Sequence, residues 1–171
     1  MRRVYKEENH IYQIDFNAAE WATDELNNIF HDAKVELSDV DFIGEIDDEM
    51  LLIEYKNSAI PNAANAGAFD PSSQKSISKI ARKYYDSCIY LDAIGKKKAR
   101  TYVYILEYPN GDSTTRKMVR NKIQTLLPFK LQKRNEIKKQ VINEFQVLSI
   151  DEWNANPVYG RFPLTRVGGA G

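Results

Sequence analysis

Two short apolar runs lie close together in the first third of the chain, separated by an acidic turn. Val40–Ile46 and Met50–Tyr55 flank the triplet Asp47-Asp48-Glu49, a pattern that predicts a strand, a tight turn and a second strand. Side chains two residues apart on a strand point to the same face, so Glu54 and Lys56 share one face. The pattern therefore places a carboxylate and an amine at the end of an otherwise apolar strand.

The first strand of this predicted hairpin carries acids of its own. Asp39 and Asp41 fall on one face of it, and antiparallel pairing across the turn would bring Asp41 beside Glu54. Two acids and Lys56 would then converge. Asp39 remains an alternative to Asp41, because both side chains point the same way.

The segment from Asn17 to about Phe30 has the apolar spacing of an amphipathic helix. Asn17 is a typical N-cap, and Glu20 stands three residues later, at the capping-box position. The apolar stripe of this predicted helix comprises Ala18, Ala19, Trp21, Ala22, Leu26, Ile29 and Phe30. Short strands are expected on either side of it, at His10–Ile14 and Lys34–Leu37.

A second helix is predicted from Asp70-Pro71 to about Ala93, because Asp is a good N-cap and Pro fits the first helical position. Its apolar positions are Ile77, Ile80, Ala81, Tyr84, Cys88 and Leu91. The positions outside this stripe include Lys75, Lys79, Arg82 and Lys83, which predicts a basic ridge. The preceding residues 57–69 are mostly small, and a functional loop or lid is expected there.

The remainder of the chain predicts a strand, a helix and a final strand. These are Thr101–Tyr108, a helix from Ser113 to Leu127, and Phe145–Ile150, followed by a short turn or helix at 151–153. The predicted inward residues of the helix are Met118, Val119, Ile123, Leu126 and Leu127, and the outward ones are Arg116, Lys117, Arg120 and Lys122. Residues 167–171 are expected to form a flexible tail.

Composition narrows the class of protein. The chain has 171 residues and 43% hydrophobic content, which favours a single domain. It contains no run of roughly 20 apolar residues and no apolar segment at its start, so a soluble, cytoplasmic protein without membrane association is expected. The lone Cys88 excludes an internal disulfide and is predicted to lie in the core. His10 and His31 show no ligand or triad spacing, so carboxylates are the main candidates for metal chemistry.

The net charge of zero conceals an asymmetry. Residues 1–54 contain 15 Asp+Glu and 4 Lys+Arg, whereas residues 55–171 contain 9 and 20. The acidic part favours a cation, and the basic part favours a polyanion such as nucleic acid. Solvated helix faces are the alternative explanation for both.

The predicted order of helix, strand, Asp-bearing strand, Glu-x-Lys strand, helix and strand resembles the PD-(D/E)XK, or restriction-endonuclease-like, nuclease superfamily. The signature is Asp41, twelve intervening residues, and then Glu54-Tyr55-Lys56. The leading proline of the motif is absent, since Val40 precedes Asp41. The resemblance implies an α/β fold with an αβββαβ core at about 17–108, a central mixed sheet flanked by helices, and a C-terminal helix and strand elaboration at 109–166.

The resemblance also implies a function, namely metal-dependent hydrolysis of phosphodiester bonds in nucleic acid, with DNA favoured. Asp41 and Glu54 would bind Mg²⁺ or Mn²⁺ together with the backbone carbonyl of Tyr55, and Lys56 would act on the attacking water. Glu20 is a further candidate ligand, with helix capping as its alternative role. Many relatives act as dimers, so a homodimer is also an expectation.

Basic residues between Lys75 and Lys139 would contact phosphates. The specific candidates are Lys75, Lys79, Arg82, Lys83, Lys96, Lys97 and Lys98, whose contacts would position the substrate rather than read its sequence. Lys79 and Lys83 also resemble the polar positions that support this site in members of the superfamily, with a solvated basic ridge as the competing interpretation. The alternative function is a nuclease-like fold with little turnover that binds nucleic acid or a protein partner.

Overall fold

The computed structural model describes residues 2–61 and 66–169. Its helices are α1 (Leu26–Asp32), α2 (Gln74–Ala93), α3 (Ser113–Gln124) and α4 (Ile150–Ala155). Its strands are β1 (Val4–Lys6), β2 (Tyr12–Asp15), β3 (Trp21–Thr23), β4 (Phe42–Ile46), β5 (Glu49–Asn57), β6 (Ala99–Glu107), β7 (Glu144–Leu148) and β8 (Leu164–Arg166). No helix in these ranges is long and apolar enough to cross a membrane.

The larger sheet is mixed and has the order β3-β4-β5-β6-β7. The pairs β3–β4 and β4–β5 are antiparallel, whereas β5–β6 and β6–β7 are parallel. The predicted hairpin is therefore confirmed, with only Asp47 and Asp48 between its paired strands. The α/β class with a mixed sheet flanked by helices is confirmed as well.

The alternation of side chains along β5 divides the core into two parts. Leu52 packs on one face with apolar residues of α2 and α3, including the buried Tyr84 and Ile123. Leu51 and Ile53 pack on the other face with Trp153 of α4. Burying both faces explains why β5 and β6 are almost continuously apolar.

A smaller sheet, β1-β2-β8, was not predicted as a unit. Only β2 was expected, at nearly the observed position. β8 returns from the end of the chain to pair with β2, and Val167 continues the contact by donating its N–H to the Ile11 carbonyl. Strands of three or four residues carry too little alternation to be recognised in a sequence. Residues 170–171 of the predicted flexible tail lie outside the described ranges.

The predicted first helix is wrong over its first half. Asn17 does not cap a helix; its Oδ1 accepts a hydrogen bond from the backbone N–H of Arg3. Residues Trp21–Thr23 instead form the edge strand β3, and only Leu26–Asp32 is helical. No strand forms at 34–37. Pairing with β4 outweighs the helical spacing of these residues. As a result α1 follows β3, whereas the predicted αβββαβ core requires a helix that precedes three successive strands.

The predictions for the two later helices are wrong only in detail, at the N-cap of α2 and at single positions of α3. Ser73 rather than Asp70 caps α2, because the Asp70 carboxylate accepts hydrogen bonds from Ser72 instead. The predicted apolar stripe of α2, including Cys88, is buried as expected. On α3, Met118 lies exposed, and Leu126 just beyond it is exposed too. Arg116, predicted to face outward, is buried.

An ion pair with the half-buried Glu152 explains the position of Arg116. Its guanidinium lies 3.1 Å from the carboxylate of Glu152 on α4, and Glu152 also closes a capping box with Ser149. The Arg116 side chain therefore points toward α4, and its ion pair links α3 to α4. The polar pattern of α3 alone does not indicate a partner 36 residues further along the chain.

Candidate functional site

Strand β5 extends beyond its antiparallel neighbour and creates a free edge. β4 begins with Phe42 opposite Ile53, whereas β5 continues to Asn57 in register with β6. Asp41, immediately before β4, is thus opposite Glu54. Its Oδ2 accepts a hydrogen bond of 2.7 Å from the backbone N–H of Tyr55. The predicted approach of Asp41 to Glu54 is confirmed at the level of register.

Glu54 is the most strongly perturbed acid of this site. Its side chain is buried, with only 6% of the residue exposed, and both carboxylate oxygens lie 2.8 Å from Nζ of Lys83 on α2. Burial and the nearby charge of Asp41 raise the pKa of Glu54 to about 8, against the opposing effect of Lys83. A buried carboxylate with a raised pKa and a cationic partner is a common arrangement at functional sites.

Asp41 occupies a different environment from Glu54. Burial raises the pKa of Asp41, while Lys83 and the Tyr55 N–H act in the opposite direction. Asp41 and Lys83 both line a cavity of about 370 Å³ whose other acidic residues are Glu7, Glu8, Asp24 and Asp39. Asp39 accepts a hydrogen bond from the Asn27 side chain and has no contact with β5 of the kind that Asp41 makes, which favours Asp41 as the acid of the site.

Lys56 lies on the exposed end of β5, on the same face as Glu54. Its Nζ is 5.5 Å from the ring centroid of Phe69. Both residues, together with Glu54, line a second cavity, of about 420 Å³. This cavity also contains Lys75 and Lys79, so three lysines surround an opening whose floor is a buried carboxylate.

Lys83 corrects the interpretation of α2 as carrying a solvated basic ridge. Lys75 and Lys79 are exposed, but the side chain of Lys83 is only 14% exposed and points to Glu54. It follows Lys79 by four residues and therefore lies on the same side of the helix, one turn nearer the hairpin. Arg82 is directed elsewhere, since it pairs with Asp86 and donates to the Glu36 carbonyl.

The remaining predicted phosphate ligands lie at the opposite end of the sheet. Lys96 forms an ion pair with Glu45, and Lys98 lies 2.9 Å from Glu20. Lys97 is exposed beside them. Because Ala99 pairs with Glu49 and Tyr104 with Glu54, this cluster is five strand residues, or roughly 16 Å, from the site.

Glu20 belongs to that distant cluster rather than to the site. Its backbone N–H donates to the Glu45 carbonyl, and its carboxylate accepts from Lys98. It neither caps a helix nor approaches Asp41 and Glu54. The two roles proposed for Glu20 both depended on the helix that the structure lacks at residues 17–23.

We expect Glu20→Gln to leave metal affinity unchanged within about twofold. The exposed pair with Lys98 contributes little energy, and Glu20 is remote from the two acids of the site. Isothermal titration with Mn²⁺ measures this directly, with Asp41→Asn as the matched substitution inside the site. A loss in Glu20→Gln as large as that in Asp41→Asn would assign Glu20 to the metal after all.

The donor set of the site suits a hard divalent cation that keeps most of its water. Across residues 2–61 and 66–169, no three His, Cys, Asp or Glu side chains converge on one point. Asp41 and Glu54 therefore provide two carboxylates, and the Tyr55 carbonyl lies on the same strand edge as the N–H that Asp41 binds. Two or three protein oxygens are typical of Mg²⁺ sites. A cation here would share Glu54 with Lys83 or displace its ammonium group.

Comparison with known proteins identifies no relative, since no protein-family model, curated protein or solved structure matches this chain.

Proposed function

We propose that the protein is a metal-dependent phosphodiesterase that hydrolyses nucleic acid, with DNA as the first substrate to test. The observation that supports this most strongly is the opposed pair Asp41 and Glu54 at the free end of β5. Lys56 follows two residues later and opens onto a cavity lined by further lysines. Paired acids that bind a cation, beside amines that bind an anion, suit the hydrolysis of a phosphodiester.

Each residue of the site has a distinct task in this proposal. Asp41 and Glu54 hold the divalent cation, which supplies charge neutralisation and a more acidic bound water. Lys56, exposed and on the same face as Glu54, orients the attacking water or stabilises the developing charge on phosphate. Lys75 and Lys79 attract the backbone into the cavity of about 420 Å³.

Lys83 positions Glu54. Hydrogen bonds to both carboxylate oxygens fix the side chain against the sheet and supply a positive charge in the absence of other cations. A fixed carboxylate lowers the reorganisation needed when the substrate arrives. The loop at 57–69, expected to act as a lid, borders the same cavity through Phe69; its residues 62–65 lie outside the described ranges.

Cleavage assays with a nucleic-acid panel test the proposal. Single- and double-stranded DNA and RNA are incubated with the protein in Mg²⁺, Mn²⁺, Ca²⁺ or EDTA. We expect products with Mg²⁺ or Mn²⁺ and none with EDTA. Absence of cleavage on every substrate, combined with no heat of metal binding by calorimetry, would contradict the assignment.

A second candidate function is a nucleic-acid-binding module with little turnover. The specific observation that favours it is Lys83, whose ammonium group already satisfies both oxygens of Glu54 and leaves the site without a need for metal. Salt-sensitive binding in EDTA, with no cleavage after metal is added, would support this function over hydrolysis.

A further inference from the structure

The positive charge of this chain is concentrated in one segment that contains none of the candidate site residues. Residues 113–139 contain nine Lys+Arg and one Asp+Glu, although the whole chain has 24 of each. The segment comprises α3, a 3-10 helix at Leu131–Lys133 and the irregular stretch that leads to β7. So high a local charge is self-repelling and raises the local concentration of anions.

The lysines of this segment are not neutralised by the protein. Arg116 and Arg134 pair with Glu152 and Glu136. Six further side chains are exposed, and none of them forms an ion pair with any residue in the described ranges. We call these six the lysine track: Lys117, Lys122, Lys130, Lys133, Lys138 and Lys139.

The lysine track begins next to the candidate site. Nζ of Lys122 lies 3.4 Å from the carbonyl oxygen of Ser72. The adjacent Ser73 lines the cavity of about 420 Å³ together with Lys75 and Lys56. A polyanion held in that cavity would therefore lie close to Lys122, near the C-terminal end of α3.

We propose that the lysine track binds the backbone of a nucleic-acid duplex that extends out of this cavity. The 12 residues of α3 span roughly 18 Å, the length of about five phosphates along one strand. A duplex is favoured over a single strand, because binding of unpaired bases relies on exposed aromatic side chains. Phe129 is the sole aromatic residue of 113–139, and it packs partly buried against the core.

The other basic clusters are less suited to this role. Lys96 and Lys98 are held by Glu45 and Glu20, and Arg82 is held by Asp86. A phosphate would have to displace these carboxylates. The lysine track requires no such exchange, so each phosphate contact there releases a counterion from the nucleic acid and strengthens binding directly.

The inference rests on the proposed function only for the identity of the polyanion, and it is tested without metal. Fluorescence anisotropy measures binding of a 20-base-pair DNA duplex, the equivalent RNA duplex and single-stranded DNA in EDTA between 50 and 300 mM KCl. The test variant is Lys117→Gln, Lys130→Gln, Lys133→Gln. We expect its slope of log affinity against log salt to be shallower than wild type by about 2–3, since roughly 0.9 is lost for each phosphate contact, and its affinity to fall more than tenfold at the lowest salt.

A matched control neutralises three other exposed cations, in the variant Arg2→Gln, Lys34→Gln, Arg166→Gln. We expect this control to bind within about threefold of wild type, and circular dichroism checks that both variants are folded.

Equal losses in the two triple variants would overturn the lysine track, as would tighter binding of the single strand. Binding to vesicles of phosphatidylserine and phosphatidylcholine, without binding to either duplex, would reassign the surface to membranes and equally overturn it. Intact duplex binding in a protein that never cleaves would contradict the proposed function but not the lysine track.

Discussion

Glu54→Gln and Asp41→Asn are each expected to lower the rate of metal-dependent cleavage by about a thousandfold or more. Removing one of two carboxylates from a cation site forfeits several kcal/mol of transition-state stabilisation, and about 4 kcal/mol corresponds to a factor of a thousand. Both substitutions conserve shape. In Glu54→Gln the new amide oxygen can still accept a hydrogen bond from Lys83, and in Asp41→Asn it can still accept one from the Tyr55 N–H. The expected loss is therefore one of chemistry rather than folding.

Glu45→Gln provides the matched control for these two variants. Glu45 is also a buried carboxylate on the same hairpin and is also paired with a lysine, but it lies at the far end of β4. Single-turnover rates at saturating Mn²⁺, with thermal unfolding of every variant, separate activity from stability. A Glu54→Gln protein that cleaves at the wild-type rate would remove the metal site from the proposal. Similar losses in Glu45→Gln and Glu54→Gln would point to a general effect of buried charge.

Lys83→Met is expected to destabilise the protein by an amount that grows with pH. The methionine retains most of the apolar stem of the lysine but leaves Glu54 without its hydrogen-bond donor. Near pH 6, where Glu54 is protonated, a lost buried hydrogen bond costs about 1–3 kcal/mol. At pH 9 the wild-type Glu54 is ionised and held by Lys83, whereas the variant must either keep Glu54 protonated or bury an unpaired charge, so the cost rises by a further amount of up to about 1.4 kcal/mol. Urea denaturation across this range measures the difference.

The direction of this dependence follows from proton linkage. The pKa of Glu54 in the folded protein, about 8, lies above its ordinary value of 4.5, so the folded state holds a proton that the unfolded state releases. The contribution of Glu54 to the free energy of unfolding is fully present below about pH 4.5 and is lost as the pH rises to about 8. In Lys83→Met the folded pKa is higher still, and the loss continues above pH 8, at no more than about 1.4 kcal/mol per pH unit.

Two further variants isolate the interaction. Lys79→Met removes an exposed lysine one turn earlier on α2 and should change the free energy of unfolding by less than about 0.5 kcal/mol. In a Glu54→Gln background, Lys83→Met should lose its pH dependence, because the titrating group is gone. A cost of Lys83→Met that stays constant from pH 6 to 9 would show that Glu54 does not change its charge in this range.

The sequence was most informative where local and long-range requirements agree. Along β5, the alternation that separates Leu52 and Glu54 from Leu51 and Ile53 is the same alternation that both core faces require. The two-residue turn then fixes which residue of β4 meets Glu54. The opposition of Asp41 and Glu54 could accordingly be predicted from spacing alone, before any fold was known.

Prediction failed where a distant partner decided the outcome. Asn17 has the features of an N-cap, but its side chain accepts a hydrogen bond from the backbone N–H of Arg3 instead. Trp21 pairs with Glu45 in a strand. The resemblance implies that Lys83 supports the site, but nothing local to its helix indicates that it pairs with Glu54, a buried acid 29 residues earlier. A charged side chain is usually buried only when it has a partner of opposite charge, and which residue becomes that partner is decided by the tertiary fold.

The short turn at Asp47-Asp48 makes chain length, rather than residue type, the critical property of this hairpin. Asp47 adopts a positive φ of 42°, and either acid can be replaced by other residues that tolerate a tight turn. One residue added or removed there would shift β4 along β5, so that Asp41 would face the wrong side of the sheet. Among related sequences, the count of twelve residues between Asp41 and Glu54 should therefore be preserved even where every residue between them has changed.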